Sequence, residues 1–197
     1  MARRRLTPRD WIEAALRALA RGGVAAVSVN ALADELGATR GSFYWHFTDR
    51  DALLTAALEL WAREGTTAVI ETVSKVADPA ERLRALFTTA LTEDPFTGLE
   101  PAIVAHSDHP AVAPVLRRVT RERLDFLTEL YTRLGLDPEA ARCQSITAYA
   151  AYLGWLELRR SAADIVPEVG ASGGEAENGL AHLIAQLSDP SPAAHRC

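Results

Sequence analysis

Ser28-Val29-Asn30-Ala31-Leu32-Ala33-Asp34-Glu35-Leu36-Gly37-Ala38-Thr39-Arg40-Gly41-Ser42-Phe43-Tyr44-Trp45-His46-Phe47-Thr48-Asp49-Arg50-Asp51-Ala52-Leu53-Leu54 is the stretch on which the fold turns. Ser28 is a capping residue, and Val29, Leu32, Ala33 and Leu36 follow it at the spacing of one buried helix face. Gly37 then permits the left-handed backbone that a tight turn needs. A second short helix is expected from near Thr39 to Phe47, and Thr48 or Asp49 caps a third that carries Leu53 and Leu54. Two short helices joined at a glycine, with a longer one behind them, are the parts of a helix-turn-helix DNA reader.

Working outward, Thr7, Pro8 and Asp10 read as a cap, a first helical position and a capping box. The helix they open is expected to end at Gly22-Gly23 and to bury Trp11, Ile12, Ala15, Leu16 and Leu19. On the other side, Leu53, Leu54, Ala57, Leu58 and Trp61 predict a long helix running unbroken from head to body. Asp78-Pro79, Asp94-Pro95, His109-Pro110, Gly135 and Asp137-Pro138 punctuate further helices at roughly 80–92, 98–106, 111–134 and 137–161, with a last one near 176–188. Residues 162–175 read as a loop and 190–197 as a tail. No stretch alternates as a strand does, so the fold expected is all-α, about nine helices in total. A three-helix head over 4–64 holds the helix-turn-helix at 27–46 and shares its fourth helix as connector with a larger domain over 65–188; 189–197 is the tail.

Charge divides along the same line. Residues 1–50 hold eight Arg and five acids, a net of +3, whereas 51–197 hold 13 basic residues and 21 acids, a net of −8. A basic head on an acidic body suits a chain that meets nucleic acid at one end. Two cysteines, Cys143 and Cys197, make no disulfide framework and favour a reduced, cytoplasmic setting. The longest nearly apolar run, Ile146 to Leu156, is far short of the roughly 20 residues that span a bilayer, so no membrane partner is expected.

In the head, Thr39, Arg40, Gly41, Ser42, Tyr44, Trp45 and His46 leave Phe43 and Phe47 to anchor the second short helix. The planar fork of Arg40 matches guanine O6 and N7 and is the expected base reader. Gly41 lets the backbone approach the groove floor. Tyr44, His46 and Arg50 suit phosphates, Ser28 offers a hydroxyl and helix N–H groups, and Trp45 suits sugar and base surfaces. Arg3, Arg4 and Arg5 suit either a minor-groove arm or a solubilising one.

These residues resemble the head of the TetR (tetracycline-repressor) family of bacterial regulators. That family's pattern of Gly, small or polar residues, an aromatic or Leu, Tyr, any residue, His and Phe reads here as Gly37 to Phe47. Arg50-Asp51-Ala52-Leu53-Leu54 is similar to its Lys-Glu-x-Leu-Leu, with Arg in place of the usual phosphate-binding lysine. The resemblance covers about residues 7–61. It implies a homodimer on a palindromic operator in double-stranded DNA, and repression relieved by a small-molecule effector. A sequence-blind architectural DNA binder and an activator on the same fold are the alternatives.

For the body, Ile146 to Leu156 is apolar on nearly every face, as a helix packed on two sides would be. Tyr152, Leu153 and Leu156, with Leu180, Leu183, Ile184 and Leu187 at helical spacing, are expected to build a four-helix dimer interface. Trp61, Phe87, Phe96, His106, His109 and Tyr149 are the candidate lining of an effector pocket. His106-Ser107-Asp108-His109 is too ordinary to predict a metal, and no cofactor is expected. Arg117, Arg118, Arg121 and Arg123 beside Glu122 and Asp125 read as a solvated, salt-bridged face. Cys143 has no partner group or Gly-rich loop near it, so no enzyme is expected.

Overall fold

The computed structural model describes residues 6–92, 98–165 and 175–189, the side chains of 175–178 excepted. Among them every regular element is helical: α1 (Pro8–Ala26), α2 (Val29–Glu35), α3 (Arg40–Phe43), α4 (Arg50–Ala62), a π turn (Arg63–Thr67), α5 (Ala68–Val73), α6 (Pro79–Thr92), α7 (Leu99–Val104), α8 (Val112–Arg133), α9 (Pro138–Ser161) and α10 (Glu175–Ser188). The chain is all-α, as its periodicity predicts. It divides into two compact units, Met1–Arg63 with Phe96–Arg118, and Glu64–Pro95 with Val119–Cys197.

In the first unit α1 packs against α2, α4 and α7, and α2 against α3. Trp11, Leu16, Leu19, Leu32, Phe43, Leu53, Leu54, Leu58 and Ile103 are fully buried. Ile12, expected in the α1 stripe, is only half-buried. The capping box is formed: the Thr7 amide donates to Asp10 Oδ2 at 2.7 Å and the Asp10 amide to Thr7 Oγ1 at 3.3 Å. At Gly22 and Gly23 the backbone leaves helical geometry, with Gly23 at φ 65°. The chain does not stop there as expected; it turns once more through Ala26 and enters α2 as a short hook.

The second unit has its own core of Leu83, Phe87, Leu91, Leu127, Leu130, Tyr131, Ala148, Tyr149, Leu180 and Leu187. Here α5 and α10 both pack on α6. The Tyr131 hydroxyl donates to the Leu187 carbonyl at 2.7 Å, satisfying one of the final carbonyls of α10, which have no partner in their own helix.

The connector differs from expectation. Instead of one unbroken helix after Asp49, the chain passes from α4 through the π turn into α5. Gly65, Thr66 and Thr67 are poor helix formers, and Arg123 of α8 bonds the turn where it bulges, donating from Nε to Thr66 Oγ1 at 2.9 Å and from Nη2 to the Gly65 carbonyl at 3.1 Å.

Candidate nucleic-acid interface

The helix-turn-helix rests on three side-chain caps. Ser28 Oγ accepts from the Ala31 amide at 3.2 Å, Thr39 Oγ1 from Ser42 at 3.3 Å, and Asp49 Oδ1 from Ala52 at 2.8 Å. Each cap supplies a partner to an amide that the first turn leaves free, so each helix starts where the sequence says. Between α2 and α3, Gly37 has φ 60°. The cap positions and the glycine are therefore local determinants of the turn.

α3 is shorter than expected, four residues followed by a turn through His46. Its anchor is Phe43, fully buried, edge-on to Trp11 at 5.4 Å and stacked with Phe47 at 5.6 Å. With Phe43 facing in, its neighbours face out. Arg40 and Gly41 are exposed, and Tyr44 and Trp45 leave 51% and 84% of their surface in water. Arg40 Nη2 donates to the Tyr44 hydroxyl at 3.4 Å, and Tyr44 lies edge-on to Phe43 at 5.1 Å. Ser42 is turned back onto the backbone, its hydroxyl donating to the Thr39 carbonyl at 2.9 Å. Ser28 and His46 are half-buried. A methyl at Gly41 would meet only Thr39 Oγ1, at 3.8 Å, so the protein's own packing does not demand a glycine there.

Arg50 is placed differently from the exposed set. Its Nε donates to the Val27 carbonyl at 2.6 Å and its Nη2 to the Val24 carbonyl at 2.5 Å. A sequence reading sees a cation at a helix start; it has no signal for two carbonyls presented by a hook at the end of α1.

Behind the exposed face, Arg17 and Arg21 of α1 pair with Glu35 of α2 at 3.1 and 2.7 Å. Burial acts to raise the Glu35 carboxyl, but the hydrogen bonds and charges of Arg21 and Arg17 outweigh it and hold that carboxyl below its ordinary range. The pair ties the second helix to the first without spending the arginines of the exposed face.

The candidate pocket residues fall in separate units. Trp61, His106 and His109 belong to the first, Phe87 and Tyr149 to the second, and Phe96 lies outside the described residues, as do Arg3, Arg4 and Arg5. His106 Nδ1 is 2.8 Å from the Ala102 carbonyl, and His109 Nδ1 accepts from the Ala111 amide at 3.2 Å. Among the described residues no group of three or more His, Cys, Asp or Glu is placed to hold a metal ion. The Tyr149 hydroxyl is buried and has no hydrogen-bond partner among the described residues, its ring stacked with Tyr152 at 6.0 Å. Arg123 lies over both rings, at 5.9 and 5.7 Å. It is thus half-buried and bonded to the π turn, and not part of a solvated face as its arginine-rich neighbourhood suggests.

The residues expected at a dimer interface also divide. Leu156, Leu180 and Leu187 are buried within the chain itself, at 8%, 4% and 5% exposure, because α9 and α10 complete the core of their own unit. Tyr152, Leu153, Leu183 and Ile184 are only partly covered. A further set that the leucine spacing hides, Ile146, Ala150, Gly154 and Leu158 at every fourth position of α9, is exposed. Ile146 and Leu158 are open by 49% and 50%, and among the described residues a methyl on Gly154 would meet nothing within 4 Å.

Residues 12–57 match the tetR family of bacterial regulatory proteins. A probable acrEF/envCD operon repressor of Escherichia coli (strain K12) is 24% identical over 145 residues, covering 69% of this chain and 59% of that repressor. The match thus spans about three fifths of the repressor's length. Among solved structures, a transcriptional regulator of Rhodococcus sp. Rha1 superposes with a TM-score of 0.76 at 20% identity, over 92% of this chain and 94% of that one. AibR in complex with isovaleryl coenzyme A and operator DNA does so with a TM-score of 0.67 at 18% identity, over 93% and 99%. Among the described residues, no helix is long and apolar enough to cross a membrane. The head with its three caps and its exposed α3 is thus similar to that of the tetR family of bacterial regulatory proteins, whose pattern residues 12–57 match.

Proposed function

We propose that this chain is a transcriptional repressor that binds a palindromic operator as a homodimer and is released by a small-molecule effector. The observation that carries the reading is the surface of α3 and of the turn after it, where Arg40, Tyr44 and Trp45 stand in water around a fully buried Phe43. Exposing two large aromatics beside a guanidinium is unfavourable for an idle surface and suits a face that docks on bases and sugars. The operon repressor among its relatives, and a structural neighbour captured on operator DNA with an acyl coenzyme A, support the same reading. Action on DNA places its work in the cytoplasm.

In this reading residues 4–64 form the DNA-binding head and 65–188 the regulatory and dimerising part. Arg40 reads a base edge. Tyr44, Trp45, Thr39, Ser42 and His46 line the contact, and Ser28 meets backbone phosphate. The exposed stripe Ile146, Ala150, Gly154 and Leu158, flanked by the partly covered Tyr152, Leu153, Leu183 and Ile184, is the seam between subunits. Two recognition helices are then spaced by one DNA turn, roughly 34–36 Å.

The test is selection of duplexes from a random pool, followed by binding measurements with Arg40→Ala. A short palindrome should be selected, and the variant should bind it more weakly by about 1–3 kcal/mol, with lost preference at one base position. Equal affinity of the wild-type protein for all duplexes, with uniform footprints, would instead make it a sequence-blind architectural binder.

A further inference from the structure

The hook from Gly22 to Val27 is gripped from two sides, and each grip is specific to the residues present. On one side is Arg50 at the start of α4, bonded to both the Val24 and Val27 carbonyls. Its third nitrogen, Nη1, lies 3.3 Å from Asp51 Oδ1. On the other side is His106, just past α7. A side chain at Gly23 would place Cβ 2.3 Å from His106 Cε1 and 2.7 Å from Nε2, so the imidazole fills the space that the glycine leaves. Gly23 is also the residue whose φ of 65° bends α1 into the hook, so a side chain there is excluded twice.

The hook leads straight into the DNA-facing helices. The Val27 amide donates to the Val24 carbonyl at 3.2 Å, the Ser28 amide to Ala26 at 2.9 Å, and Ser28 caps α2. Carbonyls at the end of a helix lack partners in that helix, and one planar fork that takes two of them fixes both their separation and their direction. A lysine ammonium is a point donor on a flexible stem and does not reproduce that constraint.

The geometry points to Arg50 as a positioning residue, a clasp that with His106 locks the hook and thereby sets the angle at which α2 and α3 meet DNA. This rests on the DNA-binding reading above. It differs from the phosphate contact that the lysine at the resembling position implies: the charge of Arg50 is turned onto the protein's own backbone, so its effect on DNA binding is geometric.

The experiment uses the full-length protein and the duplex that wild type selects from a random pool, with affinity measured by fluorescence anisotropy from 50 to 300 mM salt. Arg50→Lys and Arg50→Ala should each weaken binding tenfold or more, while the slope of log affinity against log salt stays at the wild-type value. Lysine that preserves wild-type affinity, together with alanine that flattens the slope by about 0.9 per subunit, would overturn the clasp and make Arg50 a phosphate contact. Far-UV circular dichroism monitors folding. Should Arg50 variants unfold, His106→Ala must show the same loss at unchanged slope, and wild-type affinity in that variant would overturn the proposal. A wild-type protein that selects no duplex fails at the DNA-binding reading itself, a result distinct from a lysine variant that behaves as wild type.

Discussion

Trp45 leaves 84% of its surface in water while Phe43, two residues earlier, has none exposed. The contrast sorts the residues of α3 and of the turn that follows it into a buried anchor and an exposed surface. Trp45→Ala is expected to leave the urea midpoint within about 0.5 kcal/mol of wild type, as surface changes do. It should weaken binding to the selected duplex by about 1–3 kcal/mol, the scale of burying one large apolar side chain. An unchanged duplex affinity would remove Trp45 from the interface. Glu35 makes a pH-dependent prediction. Burial pushes its folded carboxyl up, but Arg21 and Arg17 outweigh that and hold it below the ordinary glutamate value. The stabilisation is therefore present above that value and disappears as pH falls through the lower, folded one. With both partners partly exposed, the contribution is under about 1 kcal/mol. Glu35→Gln should lower the urea midpoint at pH 7, and the gap from wild type should close as the pH is lowered into the acid range; a gap that stays constant on acidification would refute the pairing.

Among elements, the short helices of the head are set by local chemistry. Ser28, Thr39 and Asp49 cap α2, α3 and α4 at the positions where these residue types favour a start, and Gly37 turns the chain with its positive φ. Such signals lie within a few residues of their effect, which is why they are legible in the sequence. The π turn is not legible in that way, because Arg123 lies more than fifty residues away and reads as one more arginine of a charged face. Arg50 has the same character: its partners, Val24 and Val27, become acceptors only because Gly22 and Gly23 bend α1. Tyr131 is the counterpart in the second unit. Burial drives its hydroxyl well above the ordinary tyrosine range, the hydrogen bond with Gln144 offsetting part of that, so it stays a donor to Leu187. Tyr131→Phe keeps the ring and leaves that carbonyl unpaired, at a cost of about 1–3 kcal/mol read from urea unfolding. A loss under about 0.3 kcal/mol would show that water or another donor replaces the hydroxyl.

At the scale of the whole molecule the decisive quantity is assembly. In the proposed reading a single short α3 buries too little surface to hold DNA alone, and two copies on one dimer would gain from each other's presence. The stripe of Ile146, Ala150, Gly154 and Leu158 is apolar and open, and its small central residues let a second helix come close. Ile146→Arg places a charge in the proposed seam at a residue already 49% exposed, so the monomer should fold normally. Sedimentation equilibrium should then shift toward monomer, and affinity for a palindromic duplex should fall at least tenfold while affinity for a half-site changes little. A variant that stays dimeric would move the interface elsewhere.

The sequence alone determined the helical class, the caps and glycine of the head, and the alternation of anchor and exposed residues on α3, because each depends on backbone preferences and periodicity within one or two turns. Tertiary structure alone decided which leucines of α9 and α10 face inward, where the connector bulges, and that Arg50 points into its own backbone. Those outcomes depend on which carbonyls and apolar faces distant segments bring within reach, and a linear chain does not display such distances.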